Sequence, residues 1–179
     1  MKETQQLLFA EIISITGGLF AGIMLARVTG VLERVPGILI LLPAFLELRG
    51  NIGGTLAARL GTALHLGIMK GKKSRKILKS NVIATFFLTI IISIPMGIFS
   101  WLVSPIINIE VNLLEIIIIS LIASIIANAI TIALTIIITF WLFKKNYDPD
   151  DIMGPVVSTI GDIVSVFSLV IAALVVINV

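Results

Sequence analysis

Asp162 lies in the middle of the last strongly apolar stretch of the chain, GPVVSTIGDIVSVFSLVIAALVV. Gly154, Ser158, Asp162 and Ser165 recur at intervals of four, four and three, which places them on one face of a helix. The remaining residues of that helix are mostly Val, Ile, Leu and Phe. A carboxylate near the bilayer midplane costs about 3 kcal/mol or more unless water, a partner or a cation compensates it, so the stripe reads as part of an ion or proton path. The competing reading is a structural ion pair of Asp162 with Arg49 or Arg59. Neutralising Asp162 separates the two: loss of a structural partner impairs folding, whereas loss of a cation ligand leaves a stable but inactive protein.

Other polar residues fall on apolar segments as well. Glu47, Arg49, Asn51 and Arg59 make one segment too polar to face lipid, so it is expected to face the protein interior or a dimer axis. Ser120, Ser124, Asn128, Thr131 and Thr135 form a second helical stripe, suited to close packing and interhelical hydrogen bonding, with Asn128 its best candidate for a path residue. Glu11 is placed near a membrane boundary, where headgroup water or a cation path would account for it. Gly18 and Gly22 have the small-xxx-small spacing of close helix approach. Pro155 lacks an amide hydrogen and so frees the carbonyl four residues earlier, at Asp151, beside the acidic run DPDD. The same acids would suit the positive end of a helix dipole. His65, the single histidine, has no His or Cys near it in sequence at metal-ligand spacing, and an interfacial or core role is expected.

The elements that must position these residues follow from composition. Hydrophobic residues make up 58% of the chain and charged ones 13%, with a mean hydropathy of +1.17, against about a quarter charged in soluble domains. The fold class is an all-α polytopic membrane protein. Five spans are predicted, near Leu7–Val28, 37–69, Val82–Val103, 113–143 and 152–176, since about 20 residues cross roughly 30 Å of hydrocarbon. The second is expected to be long and broken around Gly50, Asn51, Gly53 and Gly54, because glycine weakens a helix and discontinuous helices often mark transport sites. No cysteine is present, which excludes disulfides and thiolate metal sites.

Six basic residues between Lys70 and Lys79, expected in a loop, predict a cytoplasmic connection by the positive-inside rule. That places the N-terminus inside and the C-terminus outside. The basic balance therefore reads as topology, not as nucleic-acid binding. An odd number of spans cannot form two equal halves, so a symmetric pore would require a homodimer.

Two runs carry a resemblance. LLPAFLELRGNIGGTLAARLGTALHLG (41–67) is similar to the signature of the solute carrier 41 group, and DPDDIMGPVVSTIGDIVSVFSL (148–169) resembles the final helix shared by that group and the bacterial MgtE magnesium channels. The shared features are the Pro–Ala lead, Gly50–Asn51, Ala58–Arg59, the Asp–Pro pair, Pro155 and Asp162. The resemblance implies a single five-helix transport domain over residues 1–179, without cytoplasmic sensor regions, dimerising around a cation pathway lined by the second and fifth helices. It implies metal contact at Asp162 and Ser158, with Gly154 standing where the bacterial channels often carry Asn. Glu47, Asn51 and Asn128 complete the expected path.

The expected lining offers hard oxygen ligands only, which suits Mg2+ as the transported ion, with other divalent cations acceptable. A monovalent-coupled exchanger and a non-transporting membrane scaffold are the alternatives. A membrane enzyme is not expected, since no HExxH or multi-aspartate signature occurs.

Overall fold

The computed structural model describes residues 2–69 and 71–177. Five helices run the length of the chain: α1 Lys2–Leu32, α2 Gly37–His65, α3 Gly71–Val103, α4 Leu113–Lys144 and α5 Pro149–Ile177. A short 3-10 turn, Ser104–Ile107, follows α3. All five helices are long and apolar enough to cross a membrane. At 1.5 Å per residue, 29 to 33 residues amount to roughly 45–50 Å, so each helix reaches past the hydrocarbon into the headgroup layers.

Local chemistry sets the helix ends. The side chain of Asn112 accepts hydrogen bonds from the amides of Leu114 and Glu115, capping α4, and Glu115 sits favourably in its first turn. Asp148 caps α5 by accepting from the Asp150 amide at 3.0 Å, with Pro149 at the first helical position, where no amide hydrogen is needed. Left-handed residues close two other ends. Gly67 (φ 67°) ends α2, with the Ile68 amide reaching back to the carbonyl of Ala63, and Asn146 (φ 60°) does the same after α4 through Tyr147 and Leu142.

Helix α5 packs against α1, α2 and α4, while α3 packs against α4 and α2. One apolar core joins Leu32, Ile38, Leu41 and Phe45 to Ile116, Ile119, Leu169 and Ala172. A second, nearer the other end, gathers Ala10, Ala57, Met153 and Val157. Small residues permit the close approaches. A Cβ on Gly53 would collide with Val157, and one on Gly61 would stand 2.6 Å from Oδ1 of Asp150.

Three expectations are corrected. First, α2 is continuous from Gly37 to His65 through Pro43 and the glycine cluster, and the break near Gly50–Gly54 is absent. In an apolar surrounding a helix keeps its backbone groups satisfied internally, and Gly50, Gly53 and Gly61 serve to admit α5 instead of interrupting the turn. Second, the basic segment is not a loop: Lys73, Arg75, Lys76 and Lys79 ride on the first turns of α3, while Lys70 falls outside the described residues. Third, α1 approaches α5 at Gly17, where a Cβ would collide with Thr159. Gly18 and Gly22 have nothing within contact distance.

Candidate cation site

Two faces of α2 divide its polar residues. Glu47, Asn51, Thr55 and Arg59 are exposed, whereas Arg49, Ile52, Gly53 and Leu56 are buried. On the exposed face the Nδ2 of Asn51 donates to Oε1 of Glu47 at 3.0 Å, as the four-residue spacing allows. Thr55 donates to the carbonyl of Asn51 at 2.8 Å, and Arg59 reaches Oδ1 of Asn81 on α3 at 3.5 Å.

Asp162 is half-buried on α5, and Glu47 is exposed on α2. The helices meet closely beside Asp162. A Cβ on Gly161 would lie 3.1 Å from Cβ of Arg49, and one on Gly50 would lie 3.2 Å from Oγ of Ser158. Glycine on both helices thus sets the segment of α5 that carries Asp162 closely against Arg49 and Gly50 of α2. Gly161 and Gly50 set this approach; the sequence marked Gly50 as a member of the glycine cluster, and Gly161 only by adjacency to Asp162.

Of the α5 stripe, Ser158 is half-buried beside α2, and Gly154 is exposed with open space around its Cα. Ser165 is turned fully inward, and its hydroxyl has no partner. The stripe is therefore continuous from Gly154 to Asp162 and ends there.

The structural ion pair is absent. All three guanidinium nitrogens of Arg49 lack hydrogen-bond partners, and the His65–Asp148 contact at 3.2 Å is the only ion pair among the described residues. Asp162 is not held by a guanidinium.

Asn128, expected on the path, is 2% exposed and lines a small cavity with Arg49, Thr85 and Thr131. It sits against the buried face of α2, beside a positive charge, a poor place for a cation. The rest of its stripe is also interior: Ser120, Ser124, Thr131 and Thr135 are all buried, and Ser120 donates to the carbonyl of Ser93 on α3 at 2.8 Å. Glu11 is exposed on α1.

His65, expected at an interface or in the core, is exposed. It occupies the C-terminal end of α2, with its ring edge-to-face on Phe143 and its Nε2 beside Oδ1 of Asp148. Asp150 joins them, so that one ligand-type atom from each of the three lies within 4.8 Å of the others. Hydrogen bonding and helix capping account for this exposed group.

Glu47, Asn51, Ser158 and Asp162 together offer carboxylate, amide and hydroxyl oxygens, the ligand set of hard divalent cations. No curated protein and no solved structure matches the chain. The family model described as MgtE, divalent cation transporter, matches residues 42–172, which include every one of these site residues. Five long apolar helices and this match agree: the chain is a multi-pass membrane protein of the MgtE divalent cation transporter family.

Proposed function

We propose that the protein moves Mg2+ across the cell membrane as a homodimer, through a path at the dimer axis lined by α2 and α5. The observation that carries this reading is the exposed polar face of α2. Glu47, Asn51, Thr55 and Arg59 stand on the surface of one protomer, within a helix otherwise suited to lipid. Such residues are expensive against hydrocarbon and must face water or a second copy of the chain. Pairing two such faces would bring Glu47 and Asp162 of each protomer around a shared aqueous path.

Like charges in a low-dielectric setting repel, and a divalent cation between them relieves the repulsion. Mg2+ sheds water reluctantly and commonly binds through one or two carboxylates while keeping several waters. Gly154 and Ser158, small and accessible, leave space for that hydration shell. Asn51 orients Glu47 and adds an amide oxygen. Asn128 has no part in this path. Manganese and cobalt would meet the same oxygen set. The basic first turns of α3 orient the protein with its N-terminus in the cytoplasm and its C-terminus outside.

The test is Mg2+ uptake into liposomes by the purified wild-type chain and by Asp162→Asn. Uptake by the wild type without an opposing gradient, lost in the variant with folding unchanged, supports a channel-like path through Asp162. Wild-type uptake only against a sodium or proton gradient would replace it with exchange. No divalent uptake by the wild type would end the reading.

A further inference from the structure

Arg49 is among the largest fully buried side chains, 1% exposed, yet its Nε, Nη1 and Nη2 make no hydrogen bond. Its guanidinium lies 4.6 Å over the centroid of the Phe45 ring. Stacking compensates the face of the cation and leaves its five N–H donors, which lie in the plane, unused. No carboxylate pairs with it. A buried charge with no partner costs several kcal/mol, so something must answer it.

The cavity that Arg49 lines with Thr85, Asn128 and Thr131 has room for about one water-sized sphere. Asn128 Nδ2 and Thr131 Oγ1 are buried and also without partners. The unsatisfied groups are thus three cationic nitrogens, an amide donor and a hydroxyl able to donate. They come from two helices, α2 and α4, and none brings negative charge. Water would accept some of these hydrogen bonds but would turn its own hydrogens toward these donors or toward the apolar Ile52, Leu56 and Ile132 that complete the lining, and it leaves the guanidinium uncompensated. An anion only accepts, and it supplies the missing charge.

We propose that Arg49, Asn128 and Thr131 form a buried site for one small monovalent anion of the size of chloride, clamped between α2 and α4. The site is separate from the Glu47–Asp162 group, which lies across the exposed face of the same helix, and it stands independently of the transported ion. Its occupant neutralises the one fully buried cation among the described residues and locks α2 to α4.

The test follows thermal unfolding of the full chain in nanodiscs by the fluorescence of Trp101 and Trp141. Sodium chloride replaces sodium gluconate stepwise at constant ionic strength. A ligand that binds only the folded state raises the midpoint with its concentration. The expected result is a midpoint several degrees higher in chloride, with the response abolished in Arg49→Met. Asn128→Leu and Thr131→Val should each raise the chloride concentration needed for half the effect by roughly tenfold, equivalent to about 1.4 kcal/mol. If Arg49→Met does not fold, these two variants carry the test. Equal wild-type midpoints in gluconate and chloride, or a chloride response unaltered by the variants, would overturn the site and leave water as its content.

Discussion

Asn51 holds Oε1 of Glu47 at 3.0 Å, one turn along α2, so the single carboxylate of that helix is oriented by its own neighbour before any ion arrives. The geometry matters because Glu47 lies on the polar face of α2, the helix whose Gly50 packs closely on Ser158 of α5. Removing the amide frees the carboxylate to turn away, at the loss of a hydrogen bond to a charged group. Asn51→Ala is expected to lower Mg2+ uptake roughly tenfold, equivalent to about 1.4 kcal/mol. Uptake by this variant in liposomes, beside Asn51→Gln, measures the effect. Unchanged uptake in both would remove Asn51 from the site.

The dimer reading predicts which surface meets its copy. The chain has no cysteine, so single cysteines report directly. Thr55→Cys, on the polar face of α2, should form an intersubunit disulfide under mild oxidation, and Leu19→Cys, on the exposed apolar side of α1, should not. Non-reducing gels of membranes read the outcome. A disulfide at position 19 and none at 55 would place the dimer contact on α1.

Two adjacent glycines should respond oppositely to alanine. A Cβ on Gly53 would collide with Val157, whereas one on Gly54 has open space. Gly53→Ala is expected to destabilise by about 1–3 kcal/mol through overpacking. Gly54→Ala should be neutral or stabilising by up to about 1 kcal/mol through helix propensity. Unfolding midpoints of the two variants decide. Equal shifts would mean that α5 does not pass so close.

Ser120 joins α4 to α3 through its hydrogen bond to the Ser93 carbonyl, within a buried contact. Ser120→Ala should lower stability by about 0.5–1.5 kcal/mol and leave cation selectivity unchanged, as expected for interhelical hydrogen bonds in membranes. Altered selectivity would bring this stripe back to the path.

At the His65 end, the contact with Asp148 is exposed on both sides. His65→Gln is therefore expected to cost less than about 1 kcal/mol in thermal unfolding. A larger loss would show that this contact does more than hold the capping acid of α5.

The sequence by itself determined the membrane class, the five spans, the small polar stripe Gly154, Ser158, Asp162 and Ser165, of which the structure turned Ser165 inward, and the resemblance to MgtE. Hydropathy and helical period are local along the chain, and lipid obliges each span to satisfy its own backbone, so these features required no knowledge of neighbours. The same obligation defeated the predicted break in α2, since glycine there answers to the neighbouring helix. Tertiary structure alone decided the rotation of each helix about its axis. It sent Glu47 and Asn51 outward and Arg49 inward, took Asn128 to Arg49, and moved the close approach of α1 from Gly18 to Gly17. It also brought Asp148 and Asp150 to His65, more than eighty residues away. Rotation and proximity of this kind depend on which small residue receives which side chain of a partner helix. One helix read alone does not carry that information.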